Sequence, residues 1–179
     1  NIVKEILGRG NYVFPPEASM RLETDLGAYA LGNVPNWRWT NVCGYHISET
    51  GAETDPILEI AITMEMALTS LRWLRPKVSA DDFAVAAGSI TFFMSSGIDI
   101  PRQTAKFLAY SRFWPMLLKD EFGLDKVGIR QRDGNVKMVK PRFVYGLQVS
   151  SVNLPQQRYG LNRVRIALEM LPAVLLPES

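Results

Sequence analysis

The chain has 179 residues, 47% apolar, 21% charged and 10% aromatic, a composition that suits one globular domain over residues 1–179. Its 20 basic and 18 acidic residues leave a formal charge of +2, and no Lys/Arg-rich run is interleaved with aromatics, so nucleic acid is not an expected partner. No apolar run approaches the roughly 20 residues that cross a bilayer, so no membrane is expected either.

Cys43 is the one cysteine, which excludes an internal disulfide and suits a reducing, cytoplasmic setting. A first residue of Asn1 with no leader-like segment is expected of a processed, trimmed or excerpted chain.

In chain order, residues 2–8 read as the end of a helix that exits through Gly8 to Asn11, and Asn11–Phe14 is short and β-prone. Helical spacing follows from Glu17 to Leu31, with Met20, Leu22, Leu26, Tyr29 and Ala30 on a broad apolar face. Thr40–Gly44 predicts a short buried strand. Asp55-Pro56, a good cap and first-turn pair, opens a long helix to Leu74, and Pro76 ends it. A short helix over Asp81–Ala87 leads to a second strand, Ser89–Met94, and then to a helix from Pro101 to Phe122. Lys126–Lys140 is polar and turn-rich, with Asp133-Gly134-Asn135 as a hairpin tip. A third strand, Phe143–Val149, and a helix over Tyr159–Leu175 complete the order. Strands alternating with long helices predict an α/β fold with parallel pairing. Eight such units close a barrel in about 250 residues, so three or four give a partial or shortened one.

His46, the single histidine, follows strand Thr40–Gly44, and ligands of parallel α/β folds lie beyond the carboxyl ends of strands. Imidazole donates a proton or a hydrogen bond near neutral pH without large tuning. A structural histidine bonded to a loop carbonyl is the alternative. Tyr45 and Glu49 flank it, and Glu49 suits either orienting the imidazole or capping the next helix. Arg9 lies between two glycines, and its guanidinium grips carboxylates through paired hydrogen bonds. Gln148 ends the third strand among apolar neighbours, where its amide needs a partner such as a ligand carbonyl. Lys106, Arg112 and Trp114 read as a solvated helix face plus a core anchor. One His and one Cys are too few for a zinc site, so no metal is expected. No phosphate-cradling Gly-rich loop and no Gly-x-Ser-x-Gly nucleophile elbow is present.

Two segments carry a family resemblance. Tyr12-Val13-Phe14-Pro15-Pro16-Glu17-Ala18-Ser19-Met20-Arg21 resembles the Tyr-x-Phe-Pro-Pro-x-x-Ser-Met stretch of the adenosylcobalamin-dependent acyl-CoA mutases, the methylmalonyl-CoA mutase large-subunit type. Asn41 to Ala52 is similar to their Gly-Tyr-His-x-x-Glu-Ala-Gly-Ala motif through Gly44-Tyr45-His46. Ile90-Thr91-Phe92-Phe93 and Ala105-Lys106 match the next strand and helix. Arg142 to Val149 with Leu168-Glu169-Met170-Leu171 is most similar to the ethylmalonyl-CoA mutase branch. Ser89 stands where that family has an arginine, Leu108 and Ser111 replace two more, and Pro101, Pro155 and Leu161 also depart from its pattern.

The resemblance implies a segment of a TIM-type (β/α) barrel whose bore holds an acyl-CoA thioester, in a carbon-skeleton isomerase lineage. It implies that His46 hydrogen-bonds the thioester carbonyl, Tyr45 stands beside the reacting centre, and Arg9, Gln148 and Ser89 occupy substrate-binding positions. It implies adenosylcobalamin for the family, whereas this chain, whose one histidine is His46, is expected to bind none alone and to need a separate domain or subunit for it. Two other readings stand beside it: a shortened, cobalamin-independent homologue using His46 and Tyr45 for acid/base work on an acyl-thioester (decarboxylation, isomerisation or dehydration), and a non-catalytic partner subunit. An incomplete barrel exposes apolar edges, so a homo-oligomer or a complementary subunit is expected in each case.

Overall fold

The computed structural model describes residues 14–34, 36–49 and 55–175. The expectations for residues 2–8 and for the first part of Asn11–Phe14 lie outside them. Helix α1 spans Pro16–Asn33, β1 Asn41–Cys43, α2 Gly44–Glu49 and α3 Pro56–Leu74. A 3-10 turn at Arg75–Lys77, containing Pro76, follows α3. Helix α4 spans Ala80–Ser89, β2 Thr91–Ser96 and α5 Ile100–Phe122. Strands β3 (Val127–Arg130) and β4 (Val136–Val139) precede β5 (Tyr145–Val149), two 3-10 turns and α6 (Tyr159–Val174).

The local chemistry explains most boundaries. Asp55 accepts from the Leu58 amide at 3.0 Å, Ser79 from the Asp82 amide at 3.1 Å, and Asp99 from the Arg102 amide at 3.1 Å, so α3, α4 and α5 each start on a side-chain cap. Pro56 and Pro101 fall in first turns, where a missing N–H leaves no bond unmade. The second strand is displaced from its expected place, Ser89–Met94. The Ser79 cap lets α4 run through its alanines to Ser89, and β2 then extends to Ser96 because Ser95 and Ser96 pair with Gln148 and Val149.

Strands β1, β2 and β5 form one parallel sheet in that order, with Cys43 opposite Phe93 and Phe93 opposite Gly146. Among the described residues these three strands make an open sheet rather than a closed barrel. Strands β3 and β4 form a separate antiparallel hairpin, in which Gly134 takes φ +86° at the expected tip.

Alternation assigns the two faces of the sheet. Val42, Phe92 and Met94 point to one side, joined there by Tyr145 and Leu147, and merge with Met64, Leu68 and Leu71 of α3 and Phe107, Tyr110 and Trp114 of α5 into the core. Aromatic rings fill this layer. Phe92 meets Trp114 edge-on at 5.1 Å between centroids, while Phe143 stacks on Tyr110 at 4.8 Å and Tyr145 on Phe107 at 5.1 Å. Asn41, Cys43, Thr91, Phe93, Ser95, Gly146 and Gln148 point to the opposite side, and none of them belongs to the core cluster.

Lys106 corrects the expectation of a solvated face on α5. Its ammonium is buried behind the sheet, 2.9 Å from the Glu59 carboxylate and 2.7 Å from the Ser95 carbonyl, with both side chains 1% exposed. The helical spacing that makes Trp114 a core anchor also turns Lys106 inward, eight residues earlier, and Glu59 on α3 supplies the countercharge.

Candidate functional site

The front face of the sheet, opposite the helices, brings together several of the expected site residues. Parallel pairing puts the carboxyl ends of β1, β2 and β5 on one rim. Helix α2 lies on that rim directly after β1. Gly44 makes this possible: a Cβ there would lie 2.6 Å from Met94 Cε and 2.8 Å from Thr63 Oγ1, so only glycine lets the chain turn so close to β2 and α3. Ile47 and Ser48 are buried by the same packing.

The next residue, Tyr45, reaches over the front face. Its ring packs edge-on against Phe93 at 5.6 Å and against the His46 imidazole at 5.5 Å. Gln148 Nε2 donates to Tyr45 Oη at 2.8 Å, a bond across the sheet between the β1 and β5 sides. With its oxygen occupied as acceptor, the phenol O–H is left to donate, and Gln148 keeps its carbonyl oxygen as an acceptor. Burial, aided by the negative charge of Glu49, holds the Tyr45 phenol above its ordinary pKa, so the group is a neutral donor at physiological pH. His46, expected just after the first strand, is the third residue of helix α2.

Lower on the same face, Asn41 Nδ2 donates to Thr91 Oγ1 at 2.9 Å, and the Cys43 thiol to Asn41 Oδ1 at 3.3 Å. The front of the sheet is therefore lined by small and amide side chains around Phe93, with the Tyr45–Gln148 pair at its rim.

Glu49 goes to neither of its two expected partners. Its carboxylate accepts from Ser151 Oγ at 2.5 Å, the Ser151 amide at 3.3 Å and Ser150 Oγ at 3.5 Å. Sequence reasoning passed over both serines, although a pair of hydroxyls straight after a strand, on the ligand end, was a usable signal.

Ser89 is placed at the other, amino end of β2. It closes α4 before β2 begins, and its hydroxyl donates to the Ala86 carbonyl at 3.0 Å. Seven residues at about 3.3 Å each separate it from Ser96, roughly 20 Å. There it lines a cleft of about 210 Å³ with Arg38 and Arg130. Arg9 lies outside the described residues. Among the described residues no group of three or more His, Cys, Asp or Glu side chains is placed to hold a metal ion, and no helix is long and apolar enough to cross a membrane.

Comparison with known proteins gives this geometry a context. Residues 1–176 match the family described as methylmalonyl-CoA mutase. Over 175 residues the chain is 35% identical to the ethylmalonyl-CoA mutase of Cereibacter sphaeroides, an alignment covering 98% of this chain and 25% of that protein. It is 30% identical over 176 residues to the 2-hydroxyisobutanoyl-CoA mutase large subunit of Aquincola tertiaricarbonis (98% and 28%). It is 32% identical over 175 residues to the mitochondrial methylmalonyl-CoA mutase of Homo sapiens (97% and 21%). The chain thus spans 21–28% of the length of these relatives.

Proposed function

Because this chain belongs to the methylmalonyl-CoA mutase family, we propose that it is a segment of an acyl-CoA mutase-type (β/α) barrel whose front sheet face binds an acyl-CoA thioester. The observation that carries the reading is the Tyr45–Gln148 hydrogen bond beside His46, at the carboxyl rim of a parallel sheet. In this reading the His46 imidazole donates to the thioester carbonyl, Tyr45 stands beside the reacting carbon, and Gln148 holds the phenol while offering its own oxygen. Arg9 pairs with a substrate carboxylate. Ser89 keeps a role only for a ligand long enough to run the length of β2, and an acyl-CoA thioester is such a ligand.

Three parallel strands among the described residues are too few to close a barrel, which supports a partial barrel completed by further β/α units, from a second copy or a complementary subunit. The buried thiol of Cys43, the one cysteine of this chain, suits a reducing compartment such as the cytoplasm. Adenosylcobalamin, implied by the family, does not fit the donors of this chain. The one histidine is packed against Tyr45 on the rim, and no other imidazole exists to hold cobalt. The cofactor would belong to a separate domain or subunit.

Calorimetric titration with acyl-CoA thioesters tests the reading. Wild type is expected to bind, and His46→Ala or Gln148→Ala to weaken binding about 5- to 10-fold, the value of one hydrogen bond. Arg9→Ala should weaken carboxylated thioesters selectively. Turnover of a bound thioester without added cobalamin would favour acid/base chemistry by His46 and Tyr45 instead. If no thioester binds, the substrate reading is wrong and the chain is a partner-dependent scaffold.

A further inference from the structure

We infer that Glu49 is a positioning residue for this site: its carboxylate clasps Ser150 and Ser151, and so fixes the orientation of the short helix that presents Tyr45 and His46 to Gln148. The inference rests on the reading of those three residues as the ligand-facing group, and it adds a residue with no contact to ligand.

Helix α2 has six residues, far fewer than a helix needs to hold itself together in water. Its neighbours must therefore hold it. At its start, Gly44 is wedged against Met94 and Thr63. Beyond that point two rungs join α2 to the strand on the far side of β2. Tyr45 and Glu49 are four residues apart on a helix, hence one turn apart on one face. Their partners, Gln148 and Ser150–Ser151, follow each other along the chain in the same sense. A single rung leaves the helix free to pivot about it. Two rungs fix its rotation as well, and with it the direction of the imidazole between them.

The anchor of the second rung is firm. Ser150 is buried, and its amide donates to the Ser96 carbonyl at 2.8 Å, continuing the β2–β5 ladder past the end of β5. The bonds from Ser151 are made to a charged acceptor, which strengthens them. Local preference opposes an acid at the last position of a helix, where the backbone carbonyls already present negative charge. The serine hydroxyls and the Ser151 amide supply what the helix end does not.

The partition of labour is clear from the bonds. The first rung leaves polar atoms facing outward, since Tyr45 keeps its O–H and Gln148 its carbonyl oxygen. The second rung spends its carboxylate on three donors within the protein. Glu49 thus acts through Tyr45 and His46 rather than on a ligand.

The test compares Glu49→Ala, Glu49→Gln, Ser151→Ala and the Glu49→Ala/Ser151→Ala pair in this chain. The first readout is the Gln148 side-chain amide resonance, assigned with Gln148→Ala, together with its proton-exchange protection. Protection is expected to be lost in Glu49→Ala and in Ser151→Ala, and to be kept largely in Glu49→Gln, whose amide oxygen still accepts. The pair is expected to behave no worse than either single variant, as members of one interaction do. Thioester affinity should fall about 5- to 20-fold in Glu49→Ala and recover in Glu49→Gln, with the melting temperature nearly unchanged.

A second readout separates position from charge. Tyr45 ionisation, followed by near-ultraviolet absorbance against a Tyr45→Phe reference, should move to lower pH in both Glu49 variants, because both remove the negative charge. An unchanged Gln148 resonance in Glu49→Ala overturns the inference, whether or not any thioester binds. Loss of protection in Glu49→Ala and Ser151→Ala but not in Glu49→Gln, with no thioester binding to wild type, keeps the clasp and refutes the proposed ligand.

Discussion

The two faces of the three-stranded sheet are built from alternate residues of the same strands, and they do opposite work. Behind the sheet, Val42, Phe92 and Met94 enter an aromatic core, and a buried charged pair there, Glu59–Lys106, is shielded from water and bonded to the backbone of β2. In front, Asn41 bonds to Thr91 and Gln148 to Tyr45, all four remaining partly accessible. Stability is concentrated on the first face, and the proposed ligand chemistry belongs to the second. A side chain two positions along a strand keeps its role, and one position along changes it.

The sharpest way to break that contrast is Lys106→Met. It leaves the Glu59 carboxylate buried without its ammonium, and is expected to cost about 3–5 kcal/mol in urea unfolding. Replacing both Glu59 and Lys106 by Met should restore most of this, since two apolar groups need no desolvated charge balanced. Gln148→Ala, on the front, should cost within about 0.5 kcal/mol, as an accessible substitution does, while weakening ligand binding. If Gln148→Ala unfolds the chain and Lys106→Met does not, the division between the faces is wrong.

Much of this was legible beforehand, and the failures share a cause. Caps and prolines are local signals, so Asp55-Pro56 and the start near Pro101 marked their helices. The order of strands and helices followed from apolar runs, and His46 and Tyr45 were proposed from their place after the first strand. Strand β2 was displaced because its end is decided by pairing with Gln148 and Val149, residues more than fifty positions away. Lys106 was misjudged because a charge reads as solvated until its partner is known, and Glu59 is on another helix. The Glu49 clasp was invisible for the same reason, its serines being about a hundred residues on. Ser89 came from a motif position, which says nothing about which end of the strand it occupies.

A weaker effect sharpens the comparison by pH. Tyr110 lies in the core, its hydroxyl donating to Thr63 Oγ1 at 3.2 Å. Burial, reinforced by the Glu59 charge, raises its pKa well above the ordinary value. A phenol whose folded pKa is raised contributes stability that is complete below its unfolded pKa of about 10. That stability is lost as pH climbs from there toward the folded value. Alkaline unfolding is therefore expected, and Tyr110→Phe should blunt it while costing about 1 kcal/mol at neutral pH for the lost hydrogen bond. Tyr45, on the front and less buried, is expected to show the same trend more faintly. Equal alkaline sensitivity in wild type and Tyr110→Phe would mean that ionisation of the core phenol does not drive the transition.

The smallest effect concerns a second link between the same two helices. Helices α3 and α5 run parallel, as the pairs Glu59–Lys106, Thr63–Tyr110 and Arg72–Glu121 succeed one another along both. The first pair is buried and the last is on the outside, where Arg72 bridges Glu121 and Glu65, the latter at 2.5 Å. The Arg72 guanidinium holds the Glu65 carboxyl below its usual pKa. Stability from that shift is present above the unfolded carboxylate pKa and lost as pH falls through the lower folded one. With side chains about half exposed, water and salt screen most of it. Glu121→Gln or Glu65→Gln should therefore cost less than about 1 kcal/mol at neutral pH. That cost should vanish in high salt and at low pH, whereas the cost of Lys106→Met should survive added salt. The same two helices, joined by the same chemistry, are thus expected to respond differently to salt solely because one pair has lost its water and the other has kept it.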